Sequence, residues 1–126
     1  MKLLIIIPVL NEEKNINLIW KKIRKLKKIK KDILFIDDNS TDSTRLKIKD
    51  LKKKNKNIFL IKRETKKGIG SAHKEGITWG YKKKYTIIVT MDCDGTHDPV
   101  HIKKMLKLIK NKNYEMISTN RFLKKN

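Results

Sequence analysis

The 126-residue chain has little cysteine, proline or glycine and no long hydrophobic run. Cys93 is the only cysteine, so an internal disulfide is excluded and a reducing compartment is expected. No apolar stretch approaches the ~20 residues that a membrane-spanning helix requires. The apolar residues 3–7 run into Pro8 and then acidic residues, without the cleavage site of a signal peptide. The sequence therefore predicts a protein that is cytoplasmic or peripheral at the cytoplasmic face of a membrane.

Several familiar phosphate- and metal-binding motifs are also absent. The chain has no Walker-A motif, and G-x-G-x-x-G is incomplete because His73 follows Gly68 and Gly70 where the third glycine would stand. The histidines His73, His97 and His101 lack the spacing of a zinc site. His97 lies just past an acid pair and is a candidate neighbour of a metal or phosphate, or a polar loop side chain. These absences argue against a P-loop protein and against a structural zinc protein.

Acidic residues are few beside the basic ones, with 13 Asp and Glu against 33 Lys and Arg, for a net charge of +20. Such an excess raises the possibility of nucleic acid or an acidic membrane as a partner. Here the excess is almost all lysine and is spread over several predicted helices. We interpret it as solvated helix faces and expect no nucleic-acid partner. A basic module that binds nucleic acid or acidic lipid is the less favoured alternative.

Short apolar runs alternate with longer lysine-rich amphipathic stretches. The runs are at residues 3–7, 33–36, 58–61, 86–91 and, more weakly, 115–118. Continuous apolar runs rich in β-branched residues are typical of strands buried on both faces of a parallel sheet. The alternation predicts a doubly wound, mostly parallel α/β fold with three layers, α/β/α, in one domain over residues 1–126. Asn11, and Ser40 or Thr41, are the expected caps of the first two helices.

Two carboxylates, Asp92 and Asp94, come directly after the fourth predicted strand. Ligands of such sheets bind beyond the carboxyl ends of the strands. Two carboxylates at this position can contribute to a Mg²⁺ or Mn²⁺ shell that phosphate oxygens and water complete. The alternative is a turn, since Asp-Gly is a turn signal and aspartates cap helices. Cys93, between the two acids, is expected to point inward into the core.

Acids and small residues follow the other predicted strands as well. Asp37 and Asp38 come after the second strand, where a carboxylate can accept hydrogen bonds from a nucleoside, or can cap the next helix. Gly68 lies at a helix start, where backbone N–H groups favour anions. A receiver domain has similar length and architecture, but its acid pair would follow the first strand, where this chain has Pro8 to Asn11. The combined pattern favours a nucleotide-diphosphate site with a metal.

Taken together, these segments resemble the amino-terminal half of the family 2 glycosyltransferases with the GT-A fold. The branch that they resemble is the polyprenyl-phosphate, dolichyl-phosphate mannosyltransferase-like one. The matching segments are IIIPVLNEE (residues 5–13), FIDDNSTDST (35–44), KGIGSA (67–72), MDCDGTHDP (91–99) and STNRF (118–122). The resemblance implies metal-dependent, inverting transfer of a sugar from a nucleotide-diphosphate sugar to a polyprenyl-phosphate acceptor.

The resemblance also implies roles for particular residues. Asp38 would bind the base, with Asp37 beside it, and Asp92 and Asp94 would hold Mg²⁺ or Mn²⁺ on the donor diphosphate. Arg121 matches a cation near the phosphates, and with Asp92 and Asp94 it completes the expected catalytic set. The expected nucleotide-sugar-binding residues are Pro8, Leu10, Asn11, Glu12, Asp37, Asp38, Gly68, Asp92, Cys93 and Asp94.

Two features depart from the family pattern. Leu10 stands where many members have an aromatic residue, which removes a stacking surface for the base. Members also continue for about another hundred residues that form the acceptor half of the site, as the resemblance implies. The chain is therefore expected to be truncated before that half. If it is complete in the cell, it would bind a donor without transferring the sugar, or act with a partner that supplies the missing half. The alternative is that it is a fragment or a truncated gene product.

Overall fold

The computed structural model describes residues 1–112 and 115–118. In this part of the chain, four strands and four helices alternate. They are β1 (Leu3–Val9), α1 (Ile16–Arg24), β2 (Lys31–Asp37), α2 (Thr44–Lys54), β3 (Ile58–Lys62), α3 (Ile69–Lys82), β4 (Ile87–Thr90) and α4 (His101–Lys112). None of the described helices is both long and apolar enough to cross a bilayer.

The strands form one parallel sheet in the order β3-β2-β1-β4. In β1, every residue is buried, because the strand lies between two neighbours and has helices over both faces. Its register places Leu3 opposite Lys31 of β2 and opposite Ile87 of β4. Along the chain, β2 is added beside β1 and β3 beside β2. The next strand, β4, then pairs with the other side of β1. The direction of winding therefore reverses between β1 and β4.

Helices cover both faces of the sheet, but unequally. Residues of α1, α2 and α4 pack with one set of alternate strand residues, including Ile5, Phe35 and Ile58. On the other face, Leu4, Ile6, Leu34 and Ile36 pack with Ala72 of α3. The single helix α3 lies very close to this face, since a Cβ atom built on Gly76 would be 2.7 Å from side-chain atoms of Ile6 and Ile36. The predicted three-layer parallel α/β fold is thus confirmed.

The fifth predicted strand is wrong. Residues 115–118 have irregular backbone and no strand pairing, and Met116 is 82% exposed. The run has only Met116 and Ile117 as apolar residues, which gives a strand little surface to bury. The other four apolar runs all form strands at or within one or two residues of the predicted places.

The predicted helix caps at Asn11, Ser40 and Thr41 are also wrong. Helix α1 begins only at Ile16, and α2 begins at Thr44 after Ser43. Asn11 has a φ of 52°, a left-handed conformation that starts a turn and cannot continue into a right-handed helix. Its side chain bonds instead to the segment that follows β2, and this contact helps to build the candidate site.

Candidate functional site

The carboxyl ends of the four strands lie along one edge of the sheet, and each is followed by a loop. We name these segments loop 1 (residues 10–15), loop 2 (38–43), loop 3 (63–68) and loop 4 (91–100). In open parallel sheets, ligands bind in the crevice where the winding reverses, which here is between β1 and β4. Asp92 and Asp94 follow β4 there, and Asn11 and Glu12 follow β1.

Loop 4 is folded back on itself by contacts of its own polar groups. The N–H of Asp92 donates a hydrogen bond to Nδ1 of His97 at 2.8 Å, and Nε2 of His97 lies 3.9 Å from Oδ2 of Asp92. Oδ1 of Asp94 accepts hydrogen bonds from the hydroxyl (2.6 Å) and the N–H (3.0 Å) of Thr96. These two bonds hold the pKa of Asp94 below its usual range. Asp94 is exposed and the Asp92 side chain is 31% exposed, so both carboxylates can reach a ligand.

Cys93 points away from solvent, as expected, and is only 3% exposed within the core. Burial raises the pKa of its thiol to about 12, and the negative charges of Glu12, Asp94 and Asp92 contribute to the increase. The acid of loop 1 and the two acids of loop 4 therefore all act on the pKa of this thiol. Any contact of Cys93 with a nucleotide sugar would have to use its main chain.

The described residues contain no group of three or more His, Cys, Asp or Glu side chains arranged to hold a metal ion. Asp92 and Asp94 nevertheless fit a Mg²⁺ or Mn²⁺ site of the kind that uses one or two carboxylates, with phosphate and water as the remaining ligands. Both carboxylates are accessible, and Asp94 favours the ionised form that a metal requires.

Asp38 is buried, with 5% exposure, and is surrounded by donors from loop 3. Oδ1 accepts a hydrogen bond from the N–H of Lys67 and Oδ2 one from the N–H of Gly68, each at 2.9 Å. Nε of Arg63 lies 3.0 Å from Oδ1, in a charge contact that is not a well-aligned hydrogen bond. Burial raises the pKa of Asp38, but the two N–H groups and Arg63 outweigh it, and the pKa lies below its usual range. Asp38 is therefore an ionised acceptor.

Asp37 has a different environment from its neighbour. Its carboxylate is fully buried, accepts a hydrogen bond from the N–H of Ser40 at 3.0 Å, and forms an ion pair with Arg45 of α2. These contacts fix the start of loop 2 against α2. A nucleotide could contact the Asp37 carboxylate only if those partners moved, so its expected place beside the base remains a prediction.

Asn11 connects loop 1 to loop 2. Its N–H donates to Oγ of Ser40 at 2.9 Å, and its Oδ1 accepts from the N–H of Thr41 at 2.8 Å. Glu12 donates its N–H to Oγ1 of Thr44 at 2.8 Å and accepts a bond from the Asn15 side chain at 2.7 Å. These contacts hold the first two loops together.

The remaining predicted residues lie at the same edge or outside the described part. Pro8 is buried within β1, and Leu10 is half-buried just after it. Gly68 has a φ of 90°, which favours glycine, and its N–H is bonded to Asp38. Arg121 lies outside the described residues.

Comparison with known proteins decides the family. Residues 4–126 match the family described as Glycosyl transferase family 2. The chain belongs to that family. The predicted family resemblance and enzyme class are thereby confirmed, and the strand-end loops are those of a family 2 glycosyltransferase domain.

Two relatives show how much of a family 2 protein this chain represents. It is 31% identical over 110 residues to the undecaprenyl-phosphate mannosyltransferase of Micrococcus luteus, covering 87% of this chain and 45% of the relative. It is 32% identical over 126 residues to the UDP-N-acetylglucosamine–dolichyl-phosphate N-acetylglucosaminyltransferase of Methanococcus voltae, covering 90% and 49%. The chain thus spans about half the length of the curated relatives that it matches.

A solved structure supports the fold. The mannosyltransferase from Pyrobaculum calidifontis, in complex with GDP-Man and Mn²⁺, superimposes with a TM-score of 0.74 at 17% identity, covering 85% of this chain and 32% of the other. At this identity the likeness concerns the GT-A fold alone.

Two site residues of this glycosyltransferase domain were missed from the sequence. Arg45 and Arg63 are the cations that pair with Asp37 and Asp38. The scarcity of arginine could have indicated these two residues as ion-pair partners. Apart from them, only Arg24 and Arg121 occur in a chain with 33 basic residues. Arginine is preferred to lysine for buried ion pairs, because its planar guanidinium is more weakly hydrated and its donors form a rigid fork.

Proposed function

We propose that this chain binds a nucleotide-diphosphate sugar at the edge formed by loops 1–4 and forms the donor half of an inverting glycosyltransferase. The acceptor in this proposal is a polyprenyl phosphate at the membrane surface. The observation that carries the proposal is that loops 1 and 4, which hold Glu12, Asp92 and Asp94, follow adjacent parallel strands where the winding of the sheet reverses. The names of the relatives support a lipid-phosphate acceptor.

Each group at this edge would have a distinct task. Asp92 and Asp94 would hold Mg²⁺ or Mn²⁺, which would neutralise the charge that develops on the leaving nucleoside diphosphate. Asp38, ionised and oriented by loop 3, would accept a hydrogen bond from the base. A phosphate acceptor is already an anion, so the chain would need no strong general base to activate it. Arg121 is proposed to contact phosphate, as the family resemblance implies.

The donor site is tested by thermal and urea unfolding of the chain with UDP, GDP and their sugars, with and without Mn²⁺. A ligand at about 100 times its Kd should add about 2.7 kcal/mol to the free energy of unfolding. We expect a metal-dependent increase with at least one nucleotide, and its loss in the double variant Asp92→Asn, Asp94→Asn. Asp50→Asn, at an exposed position of α2, is the matched control and should respond as the wild type. No metal-dependent increase with any nucleotide would contradict the proposal.

A second candidate function is donor binding without transfer. It is favoured by one observation, that the groups presented by the described loops, such as Asp38, Asp92 and Asp94, are ones that this proposal assigns to the donor. Incubation with a radiolabelled nucleotide sugar and undecaprenyl phosphate in lipid vesicles distinguishes the two. Labelled lipid would support transfer by this chain, whereas binding without labelled lipid would support the donor-binding role, with a partner required for the acceptor half.

A further inference from the structure

The imidazole of His97 lies against both the main chain and the side chain of Asp92. At the end of β4, the N–H of Met91 donates to the carbonyl oxygen of Ile6 at 3.0 Å. The next N–H, that of Asp92, donates instead to Nδ1 of His97 at 2.8 Å. On the same ring, Nε2 lies 3.9 Å from Oδ2 of Asp92, which is too long for a hydrogen bond but places the ring beside the carboxylate. One side chain thus holds the point at which loop 4 leaves the sheet.

A turn at Gly95 brings His97 back to Asp92. Gly95 has a φ of 88°, a left-handed conformation that residues with a Cβ atom rarely adopt. A Cβ atom built on it would meet nothing within 4 Å. The glycine is therefore required by the backbone conformation and not by a lack of space. Its place between Asp92 and His97 lets the chain reverse, and the contact depends on this reversal.

The direction of the hydrogen bond fixes where the imidazole carries its proton. A nitrogen that accepts a hydrogen bond uses its lone pair, so Nδ1 is unprotonated and the proton of the neutral ring is on Nε2. Neither nitrogen then has a free lone pair for a metal ion. Although the His97 side chain is 38% exposed, it could bind Mg²⁺ or Mn²⁺ only after releasing the N–H of Asp92 or moving its proton.

The contact with His97 restricts where the Asp92 carboxylate can lie. The bond to the N–H fixes the main chain at Asp92, and the ring beside Oδ2 limits the positions of the side chain. Replacing a residue that orients a metal ligand typically lowers the affinity for the metal by about 10–100-fold. Resting on the proposed function, we propose that His97 is a positioning residue, which holds Asp92 in place for Mg²⁺ or Mn²⁺ and does not bind the ion itself.

The two nitrogens of His97 can be replaced separately. The Oδ1 atom of asparagine can take the place of imidazole Nδ1 and keep an acceptor for the N–H of Asp92. The Nε2 amide of glutamine matches imidazole Nε2 instead and leaves that N–H without its acceptor. His97→Asn and His97→Gln therefore separate the two contacts, and His97→Phe removes both. His101→Asn, at an exposed position of α4, is the matched control.

The measurement is the Mn²⁺ concentration that gives half of the increase in unfolding temperature at a saturating concentration of UDP or of GDP. We expect this concentration to rise about tenfold or more in His97→Gln and His97→Phe, and to stay within about threefold of the wild-type value in His97→Asn and His101→Asn. Each midpoint is taken within one variant, so a general loss of stability does not change it. Pulsed electron paramagnetic resonance of the wild type with Mn²⁺ and nucleotide should show no coupling to an imidazole nitrogen.

Three results would each overturn the inference. An unchanged Mn²⁺ midpoint in His97→Gln and His97→Phe would show that the ring does not position Asp92. A midpoint raised as much in His97→Asn as in His97→Phe would show that the bond to the N–H is not the cause. Coupling of Mn²⁺ to an imidazole nitrogen would show that a histidine is itself a ligand. A wild type that does not respond to Mn²⁺ with either nucleotide would instead contradict the proposed function, and this inference with it.

Discussion

The guanidinium of Arg63 lies buried against the carboxylate of Asp38, and this contact joins the end of β3 to the start of loop 2. Both side chains are at most 7% exposed, so neither charge is well solvated if the other is removed. Breaking a buried ion pair by removing one partner is much more costly than losing a pair at the surface.

Arg63→Met should therefore lower the free energy of unfolding by about 3–5 kcal/mol. The loss follows from leaving the Asp38 carboxylate buried without its cation. Urea unfolding followed by circular dichroism measures it. Glu75→Gln is the control, because that side chain is 45% exposed and its contact with Arg63 should contribute at most about 1 kcal/mol. Similar losses in the two variants would contradict this account of the Arg63 site.

The close approach of α3 to the sheet gives a second prediction. Gly76→Ala should destabilise the fold by about 1–3 kcal/mol, since its Cβ would lie 2.7 Å from Ile6 and Ile36 atoms. Gly70→Ala, in the same helix, has nothing within 4 Å of the added Cβ and should be neutral or stabilising by up to about 1 kcal/mol. Thermal unfolding of both variants measures the difference. Equal midpoints would indicate that α3 can shift away from the sheet without cost.

The lowered pKa of Asp38 predicts a contribution to acid sensitivity. Burial raises this pKa, but the N–H groups of Lys67 and Gly68 and the Arg63 charge lower it further, so the unfolded chain takes up the proton at higher pH than the folded chain. The contribution of Asp38 to stability is therefore full above the unfolded pKa of about 3.9 and is lost as pH falls toward the folded pKa.

Urea unfolding at a series of pH values tests this sign. Asp38→Asn should have a lower free energy of unfolding than the wild type at about pH 7. The difference between the two should become smaller below about pH 4. The control Asp50→Asn should follow the wild-type curve. A difference in the free energy of unfolding between Asp38→Asn and the wild type that stays constant with pH would contradict a lowered pKa for Asp38.

Burial of Cys93 predicts a thiol that does not react in the folded chain. With a pKa of about 12, the thiol is neutral at about pH 8, and it is also shielded from reagent. Labelling by 5,5′-dithiobis(2-nitrobenzoic acid) should be slow under native conditions and fast in denaturant. Val100→Cys, at a position that is 59% exposed, should add one thiol that reacts at once. Fast reaction of Cys93 in the native wild type would show that loop 4 opens readily.

Much of the fold follows from the sequence because hydrophobic periodicity is a local signal. The runs at residues 3–7 and 33–36 are apolar at every position, and such runs are buried on both faces of a sheet. Residues 115–118 do not form the predicted strand, because two apolar side chains provide too little apolar surface to favour a buried strand. The positions of Asp92 and Asp94 at the end of a strand were predictable for the same local reason.

The partners of the site residues were not predictable, because they come from distant parts of the chain. The doubled acid Asp37-Asp38 indicated a ligand, yet each carboxylate has an arginine partner from another element. Asn11 suggested a helix cap, whereas its left-handed backbone directs the side chain to Thr41. Local sequence indicates which residues reach the edge of the sheet, but only the packing of β3 and α2 against β2 determines which of their groups stay free.

The hydrogen bonds between loops have a consequence for the entropy of donor binding. Asn11 holds loop 1 to loop 2, and Asp38 holds loop 2 to loop 3, so three of the four loops are already ordered as one unit. Groups that are fixed before a ligand arrives lose little conformational freedom on binding. Loop 4, by contrast, is braced by bonds within itself, from Asp92 to His97 and from Thr96 to Asp94. The entropic cost of closing the site around a donor should therefore fall mainly on loop 4.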